Sequence, residues 1–302
     1  MLTIIDVLKP LPKRINIKAN EENIGCFFNY KKYVNFKQIC KNLISIDDDK
    51  LYSALDLFAK NHYKYRDTLY YNLQTVSKED IYSDDVIGFY LLEKDKNVIA
   101  YIELLDCYHE FLHMASTSFD EKTETIYSGF GIVGNQNRLN YGEGITDGYI
   151  ELLVGRELNN DKEITKYDDD GNSYLVPTYF YSKTLARQLE IIVGKELLED
   201  MFFKNGFNRL ETFLMQYKNQ KEVTQFFKNC DAATLASETN NIILNRMALQ
   251  AQDFLFDICK NNYPDKLSEL SKEKIIKEDK MGMHLTTLRI EKELVEKSKN
   301  SK

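Results

Sequence analysis

The amino-acid sequence predicts an α+β fold in which a β-containing middle is flanked by helix-rich N- and C-terminal regions. Backbone breakers are few, since the 302 residues include only 4 prolines and 13 glycines, and this scarcity favours helices. Runs of β-branched and aromatic residues, which strands prefer, become frequent after Asp67. A hydrophobic fraction of 43% is sufficient for a sizeable core at this length. We therefore expect a chain that folds unaided.

Residues 1–66 are predicted to form a mainly helical N-terminal region, in which an extended arm precedes the helices. Leu51, Leu55 and Phe58 recur at helical spacing. The aspartates at positions 47–49 stand just before this pattern and are typical of a helix start. The sequence thus predicts a helix over "KLYSALDLFAKN".

Residues 67–210 are predicted to form the central region, which contains the strands. The segments "TLYYNLQTV" and "VIGFYLLEKDKNVIAYI" have strand composition. A turn over Asp95–Asn97 divides the second segment. We expect the sheet of the protein to be built here.

Helices follow these strands along the chain. One is predicted from Glu103 to about Ser116, and a loop with a short strand follows it in "ETIYSGFGIVG". The segments "GEGITDGYIELLVGRE" and "YSKTLARQLEIIVGKELLEDMFF" also have helical patterns, and a polar loop containing "YDDDGNS" separates them. Residues 211–302 are predicted to form a helical C-terminal region, with a charged tail after Pro264.

Composition argues against several classes of function. Forty basic and 47 acidic residues give a net charge of −7, so the chain lacks the basic surface of a nucleic-acid binder. Five scattered cysteines without a C-x-x-C pair indicate reduced thiols, not a disulfide framework. The sequence contains no apolar run long enough to span a membrane and no cleavage site typical of a signal peptide. We expect a cytoplasmic protein without a membrane partner, with export by a route that leaves no N-terminal signature as the open alternative.

The stretch "CYHEFLH" carries the strongest chemical pattern, H-E-x-x-H. Residues four apart on a helix differ by about 40° around its axis, so His109 and His113 share a face and can bind one metal ion. Glu110 lies beside that face, where it can hold a water on the metal and accept its proton. The pattern predicts one catalytic Zn²⁺. A helix without a metal is the open alternative, because the motif also occurs by chance.

A third ligand is predicted in "LNYGEGITDGYIE". A catalytic zinc ion takes three protein ligands and leaves one position open, and two histidines with one glutamate are a known set. Glu143 stands at the start of the predicted helix and is the expected third ligand. Asp147 follows on the same face, where it can accept a hydrogen bond from the far nitrogen of a ligating histidine. Asp147 is therefore expected to support the site from its second shell.

"HEFLH" followed by "GEGITD" resembles the gluzincin branch of zinc metallopeptidases, the thermolysin-like group. The resemblance covers about residues 85–205 and extends to uncharacterised small gluzincin-like proteins of bacteria. It implies a zincin-like core, made of a small mixed β-sheet and the active-site helices. It also implies a role for each of five residues, with Glu110 as the general base, Asp147 as the residue that orients His109, and the ligands His109, His113 and Glu143.

The chain departs from the family pattern at one position, and the resemblance also implies one further site residue. The family usually has asparagine directly before the glutamate ligand, and this chain has Gly142. A hydrogen bond that steadies the loop is therefore missing or is supplied by Asn140. The resemblance also places a tyrosine near the start of the next helix, so that Tyr181, with Tyr179 as the runner-up, is the expected donor to the developing oxyanion.

The expected function is zinc-dependent hydrolysis of a peptide bond in a peptide or protein substrate. An endopeptidase is expected, since the G-A-M-E-N pattern of related aminopeptidases is absent from the sequence. The segment "FYLLEKDKNVIAYI" is expected to bind the substrate by strand addition, as is common in this class. The alternative is an interaction or regulatory protein that keeps the zincin fold but has weak or no catalytic activity.

Overall fold

The structure, a computed structural model, confirms a helix-rich α+β composition. It describes residues 49–73, 81–82, 89–93, 96–100, 104–120, 122–123, 125–134, 140–159, 163–167, 173–177, 179–238, 241–276 and 286–287. The chain divides into two compact units, which are Met1–Asn140 with Phe203–Asn205, and Tyr141–Phe202 with Gly206–Lys302. The domain boundaries predicted at residues 66/67 and 210/211 stay predictions. Among the described residues, no helix has both the length and the apolar character needed to cross a membrane.

Three helices form the described helical part of the first unit. They are α1 (Asp49–His62), α2 (Arg66–Leu73) and α3 (Leu104–Ser116), with a 3₁₀ turn at Tyr63–Tyr65 between the first two. Both α1 and α2 pack against α3. The apolar face predicted for α1 is confirmed in part, because Leu55 and Phe58 are fully buried. His62 is also buried, with its ring 5.5 Å from that of Phe58 and 5.0 Å from that of Phe203.

The strand predicted over "TLYYNLQTV" is wrong, because residues 68–73 belong to α2. The helix buries Leu69 and Asn72. The Asn72 amide donates a 2.6 Å hydrogen bond to the carbonyl of Met114, near the end of α3. Packing and a buried hydrogen bond against α3 therefore outweigh the β propensity of these residues.

A mixed three-stranded sheet stands beside α3. Its strands are β1 (Ile81–Tyr82), β2 (Phe89–Glu93) and β3 (Lys96–Ala100), in the order β1-β3-β2. The pairing of β1 with β3 is parallel, and that of β2 with β3 is antiparallel. The predicted division into two strands is confirmed. The predicted turn is too long, because two of its residues already belong to β3, while residues 94–95 lie outside the described part of the chain.

A second sheet follows α3 without a connecting loop. It is antiparallel, in the order β4-β5-β6, and consists of β4 (Thr117–Asp120), β5 (Thr125–Ser128) and β6 (Gly131–Gly134). The sequence predicted a loop and one short strand here. Three strands form instead because β5 lies between two partners and its residues are buried.

The second unit is dominated by helices. Its helices are α4 (Glu143–Leu158), α5 (Phe180–Val193), α6 (Lys195–Phe203), α7 (Gly206–Leu214), α8 (Gln220–Glu238), α9 (Ile242–Asn262) and α10 (Leu267–Leu270), with 3₁₀ turns at Pro264–Lys266 and Ser271–Glu273. Both α5 and α8 pack against α4, and α9 packs against α8 and α5. The single helix predicted over "YSKTLARQLEIIVGKELLEDMFF" is two helices, because Gly194 between them has φ 97°, a value that favours glycine.

Two short antiparallel pairs complete the second unit. The predicted polar loop is flanked by β7 (Glu163–Tyr167) and β8 (Ser173–Pro177), which pair with each other. In the predicted charged tail, β9 (Ile275–Ile276) pairs with β10 (Thr286–Thr287). The Gln252 side chain of α9 accepts from the Ile275 N–H and donates to its carbonyl at 3.3 Å. The side chain of Gln252 thus makes backbone hydrogen bonds of the kind that a neighbouring strand would make. A sequence pattern does not reveal such a contact.

Candidate metal centre

The helix α3 presents both histidines of the H-E-x-x-H pattern on one face, as predicted. Nε2 of His109 lies 3.2 Å from Nε2 of His113, and the ring centroids are 5.0 Å apart. Two nitrogens bound to one tetrahedral zinc ion at about 2.0–2.1 Å would lie about 3.3 Å apart. The separation of the two imidazoles thus fits a shared zinc ion.

The end of α3 is held by hydrogen bonds to the groups that follow it. The hydroxyls of Ser116 and Thr117 donate to the carbonyl of His113 at 3.0 and 2.8 Å. The carbonyl of Ser116 accepts from the Gly129 N–H at 3.2 Å. The last carbonyls of a helix have no partner within the helix, so these contacts allow α3 to end inside the protein directly beneath the histidines.

Ser128 of β5 contacts the ring of His113. Its Oγ lies 3.4 Å from Nδ1 of His113 and 3.2 Å from Oγ1 of Thr117. The Thr117 hydroxyl donates to the backbone carbonyl of His113 and lies within donating distance of Ser128 Oγ. A hydroxyl oxygen has two lone pairs, so Ser128 Oγ can also accept from a protonated Nδ1 of His113. With Nδ1 protonated, the lone pair of His113 is on Nε2, the atom that faces His109.

Glu110 is buried within α3, with 5% of its surface exposed, and His109 is 8% exposed. Glutamate is almost never buried in a protein core unless it is paired. Two adjacent ionisable residues are thus buried in a helix whose buried residues are mostly apolar. Apart from Ser116, the other buried residues described in α3 are apolar: Cys107, Tyr108, Phe111, Leu112, Met114 and Ala115.

The helix α4 carries the predicted carboxylate residues of the metal site. Glu143 is its first residue and is exposed, whereas Asp147 lies one turn later and is half-buried. His109, His113 and Asp147 form a group that could bind a metal ion, because each offers one ligand atom. Glu143 is not a member of this group, and its role as a ligand stays a prediction.

The turn before α4 is stabilised by Asp231 of α8. Gly142 has φ 88°, in the left-handed region that glycine and asparagine adopt most readily. Its N–H donates to both carboxylate oxygens of Asp231 at 3.0 Å, and the Gly144 N–H donates to one of them at 2.8 Å. The sequence predicted that the hydrogen bond at this loop is missing or comes from Asn140. The structure shows that Asp231 supplies it.

Comparison of the chain with protein-family models, with curated proteins and with solved structures gives no match.

The two candidate oxyanion donors stand at the start of α5. Tyr181 is buried, and its backbone N–H donates to Oγ of Ser237 at 3.1 Å. Tyr179 precedes the helix with φ 53°, a backbone conformation that is uncommon for a bulky residue. The role of either phenol stays a prediction.

The described cysteines are buried thiols. Cys107, Cys230 and Cys259 form no disulfide and are buried, as the scattered spacing predicted. Burial and the nearby Asp231 carboxylate raise the pKa of the Cys230 thiol well above its ordinary value, which keeps it protonated. Cys26 and Cys40 lie outside the described residues.

Sequence reasoning missed Ser128 and Asp231. Ser128 lies 15 positions after His113, and Asp231 lies 89 positions after Gly142. A serine in a strand and an aspartate in a helix are both ordinary residues in their elements. No spacing rule connects them with the motifs, so only tertiary contacts reveal their roles.

Proposed function

We propose that the protein is a zinc-dependent peptidase of the gluzincin type, which hydrolyses peptide bonds. The observation that carries the proposal is the pair of imidazoles on α3, with Nε2 atoms 3.2 Å apart and with the buried Glu110 next to His109. Metal-ligand geometry explains the facing nitrogens, and acid–base chemistry explains a buried carboxylate at this position. A core helix with an apolar buried face would need neither facing imidazole nitrogens nor a buried carboxylate.

A bound zinc ion would supply Lewis-acid chemistry, which polarises a carbonyl group and acidifies water. Glu110 then accepts the proton of the attacking water at its carboxylate and passes it to the leaving amine. In this proposal His113 carries its proton on Nδ1, beside Ser128, and its Nε2 lone pair faces His109. Tyr181 is proposed as the donor to the developing oxyanion.

An α4 carboxylate completes the ligand set in this proposal. The resemblance to gluzincins supports Glu143, and the group of His109, His113 and Asp147 supports Asp147. Zinc affinity distinguishes the two, because the loss of a ligand weakens binding more than the loss of a supporting residue does. One of the two variants, Glu143→Gln or Asp147→Asn, is expected to lose more zinc affinity than the other. The residue replaced in that variant is the ligand.

The strand β2 is the proposed binding strand for an extended substrate. Within the described sheet β3 is central and β2 lies at one end, and α3 packs against both. An edge strand beside the catalytic helix can pair with a peptide through backbone hydrogen bonds. This arrangement supports the zincin-like core that the resemblance implies.

Peptide cleavage by the zinc-loaded protein and by a Glu110→Gln variant tests the proposal. The variant is expected to bind zinc and to lose at least about 100-fold in rate, since it lacks the general base. Glu196→Gln is the matched control, because Glu196 is exposed on α6 and has no role in the site. Equal cleavage by wild type and Glu110→Gln would contradict the mechanism. Zinc binding without cleavage by either protein would support the alternative of an inactive zincin-fold interaction protein.

A further inference from the structure

The first turn of α4 is the segment of the candidate site that lacks a cap of its own. The N-cap residue is Gly142, which has no side chain to accept from the first N–H groups of the helix. Those groups have no partner within a helix and require an acceptor from elsewhere. The same turn carries Glu143, and Asp147 follows one turn later on the same face.

Asp231 supplies the missing acceptor from a different helix. Its carboxylate accepts from the N–H groups of Gly142 and Gly144, and the N–H of Glu143 between them also lowers its pKa. The three N–H groups are consecutive and span the junction between the loop and α4. A single carboxylate therefore determines the backbone orientation at the residue that precedes Glu143, at Glu143 itself and at the residue that follows.

Close packing of α4 on α8 makes this contact possible. A Cβ atom added to Gly144 would lie 2.2 Å from the carbonyl oxygen of Cys230 and 2.8 Å from Cα of Asp231. At this distance the short aspartate side chain reaches the backbone of α4. The loop is anchored from its other side by Tyr141, whose ring lies 5.5 Å from Phe207 and 6.1 Å from Phe227.

We propose that Asp231 is a positioning residue for the metal site, which fixes the first turn of α4 and thereby directs the carboxylates of Glu143 and Asp147. The inference rests on the proposed metal site but goes beyond it, because it assigns a role to a residue of α8. An ordinary cap would be local, as at α9, where Asn241 accepts from Ile243 and Leu244. Asp231 differs, because it joins the turn that carries the candidate ligands to a second helix.

Zinc affinity and the absorption spectrum of the Co²⁺-substituted protein test this role. Asp231→Ala is expected to weaken zinc binding about 10- to 100-fold, the usual effect of removing a group that orients a ligand, and to alter the Co²⁺ ligand-field bands. Asp231→Asn, which keeps one carbonyl acceptor, is expected to show an intermediate loss. Asn241→Ala is the matched control, because it removes a helix cap of the same unit and is expected to leave affinity and spectrum unchanged.

The outcomes separate this inference from the proposed function. Wild-type affinity and an unchanged Co²⁺ spectrum in both Asp231 variants would overturn the positioning role and leave the metal site intact. Equal losses in Asn241→Ala and Asp231→Ala would also overturn it, because general destabilisation would then explain both. Should the wild type bind neither Zn²⁺ nor Co²⁺, the proposed function and this inference would both be overturned. If Asp231→Ala fails to fold, Asp231→Asn gives the same comparison.

Discussion

The hydroxyl of Ser128 is a single contact that can support the tautomer of His113 needed for a metal ligand at Nε2. Its Oγ lies 3.4 Å from Nδ1, on the side of the ring opposite to the nitrogen that faces His109. We expect Ser128→Ala to weaken zinc binding about tenfold, because the ring loses the partner that keeps its Nε2 unprotonated. Competition with a chromophoric zinc chelator measures the change.

Ser116→Ala is the control for this prediction. Ser116 donates to the backbone carbonyl of His113 and not to the ring. The substitution removes a hydroxyl from the same region and should leave zinc affinity within about twofold of the wild type. Equal affinities for Ser128→Ala and the wild type would mean that His113 needs no support from β5.

Asp231 is also expected to make stability depend on pH. Burial raises its pKa from 3.8 to about 6, and the charge of Asp147 also raises it, whereas the N–H groups of α4 lower it. The folded protein therefore retains this proton at pH values where the unfolded chain has lost it. Stability from this group is fully present below about pH 4 and is lost as the pH rises to about 6, and the whole change is about 3 kcal/mol.

Denaturant unfolding of the wild type and Asp231→Asn at pH 4, 5, 6 and 7 tests this prediction. The difference in the free energy of unfolding, wild type minus variant, should fall by about 2.4 kcal/mol across this range. Pairwise subtraction removes the contribution of groups that titrate in both proteins. A difference that is constant with pH, or that rises, would contradict the raised pKa.

At the scale of elements, two glycines let α4 lie close to its neighbours. A Cβ atom at Gly144 would lie 2.2 Å from a backbone oxygen of α8, and one at Gly148 would lie 2.3 Å from the backbone of Ser182 in α5. Backbone atoms cannot rotate away, so a methyl group must separate the helices. We expect Gly144→Ala to lower the free energy of unfolding by about 2 to 3 kcal/mol. Zinc binding should also weaken, because Asp231 would then lie too far from the N–H groups of α4 to accept from them.

Gly194→Ala separates steric from conformational effects. A Cβ atom at this position would have no neighbour within 4 Å, but φ is 97°. The substitution should cost about 1 to 3 kcal/mol through backbone strain alone and leave zinc affinity unchanged. Wild-type stability of Gly144→Ala, measured by the same unfolding experiment, would show that α4 and α8 can separate without cost.

For the whole molecule, metal binding should appear as added stability. A ligand that binds only the folded state stabilises it by about 2.7 kcal/mol at a free concentration 100 times its dissociation constant. We expect zinc to raise the melting temperature of the wild type by several degrees and a chelator to reverse the rise. His109→Ala and His113→Ala should remove the response, and an unchanged response in both variants would place zinc elsewhere.

Much of the helical architecture could be predicted from the sequence, because helical periodicity is a local property. The spacing around Leu55 predicts α1, and the segments that become α3 and α9 carry comparable patterns. The strands were predicted less well. The segment at residues 68–73 became a helix through its contacts with α3, and the short pairs β7–β8 and β9–β10 were missed. Strand pairing joins separated segments, which residue composition does not specify.

The sequence by itself determined the face of α3, since a separation of four residues places His109 and His113 on one side of any regular helix. Only the tertiary structure decided how these rings and the ligand helix α4 are held. Ser128 reaches His113 from β5, and Asp231 reaches the backbone of α4 from α8. The physical reason is that a hydrogen bond depends on distance in space, and residues far apart in the chain come within that distance only when the helices and strands pack together.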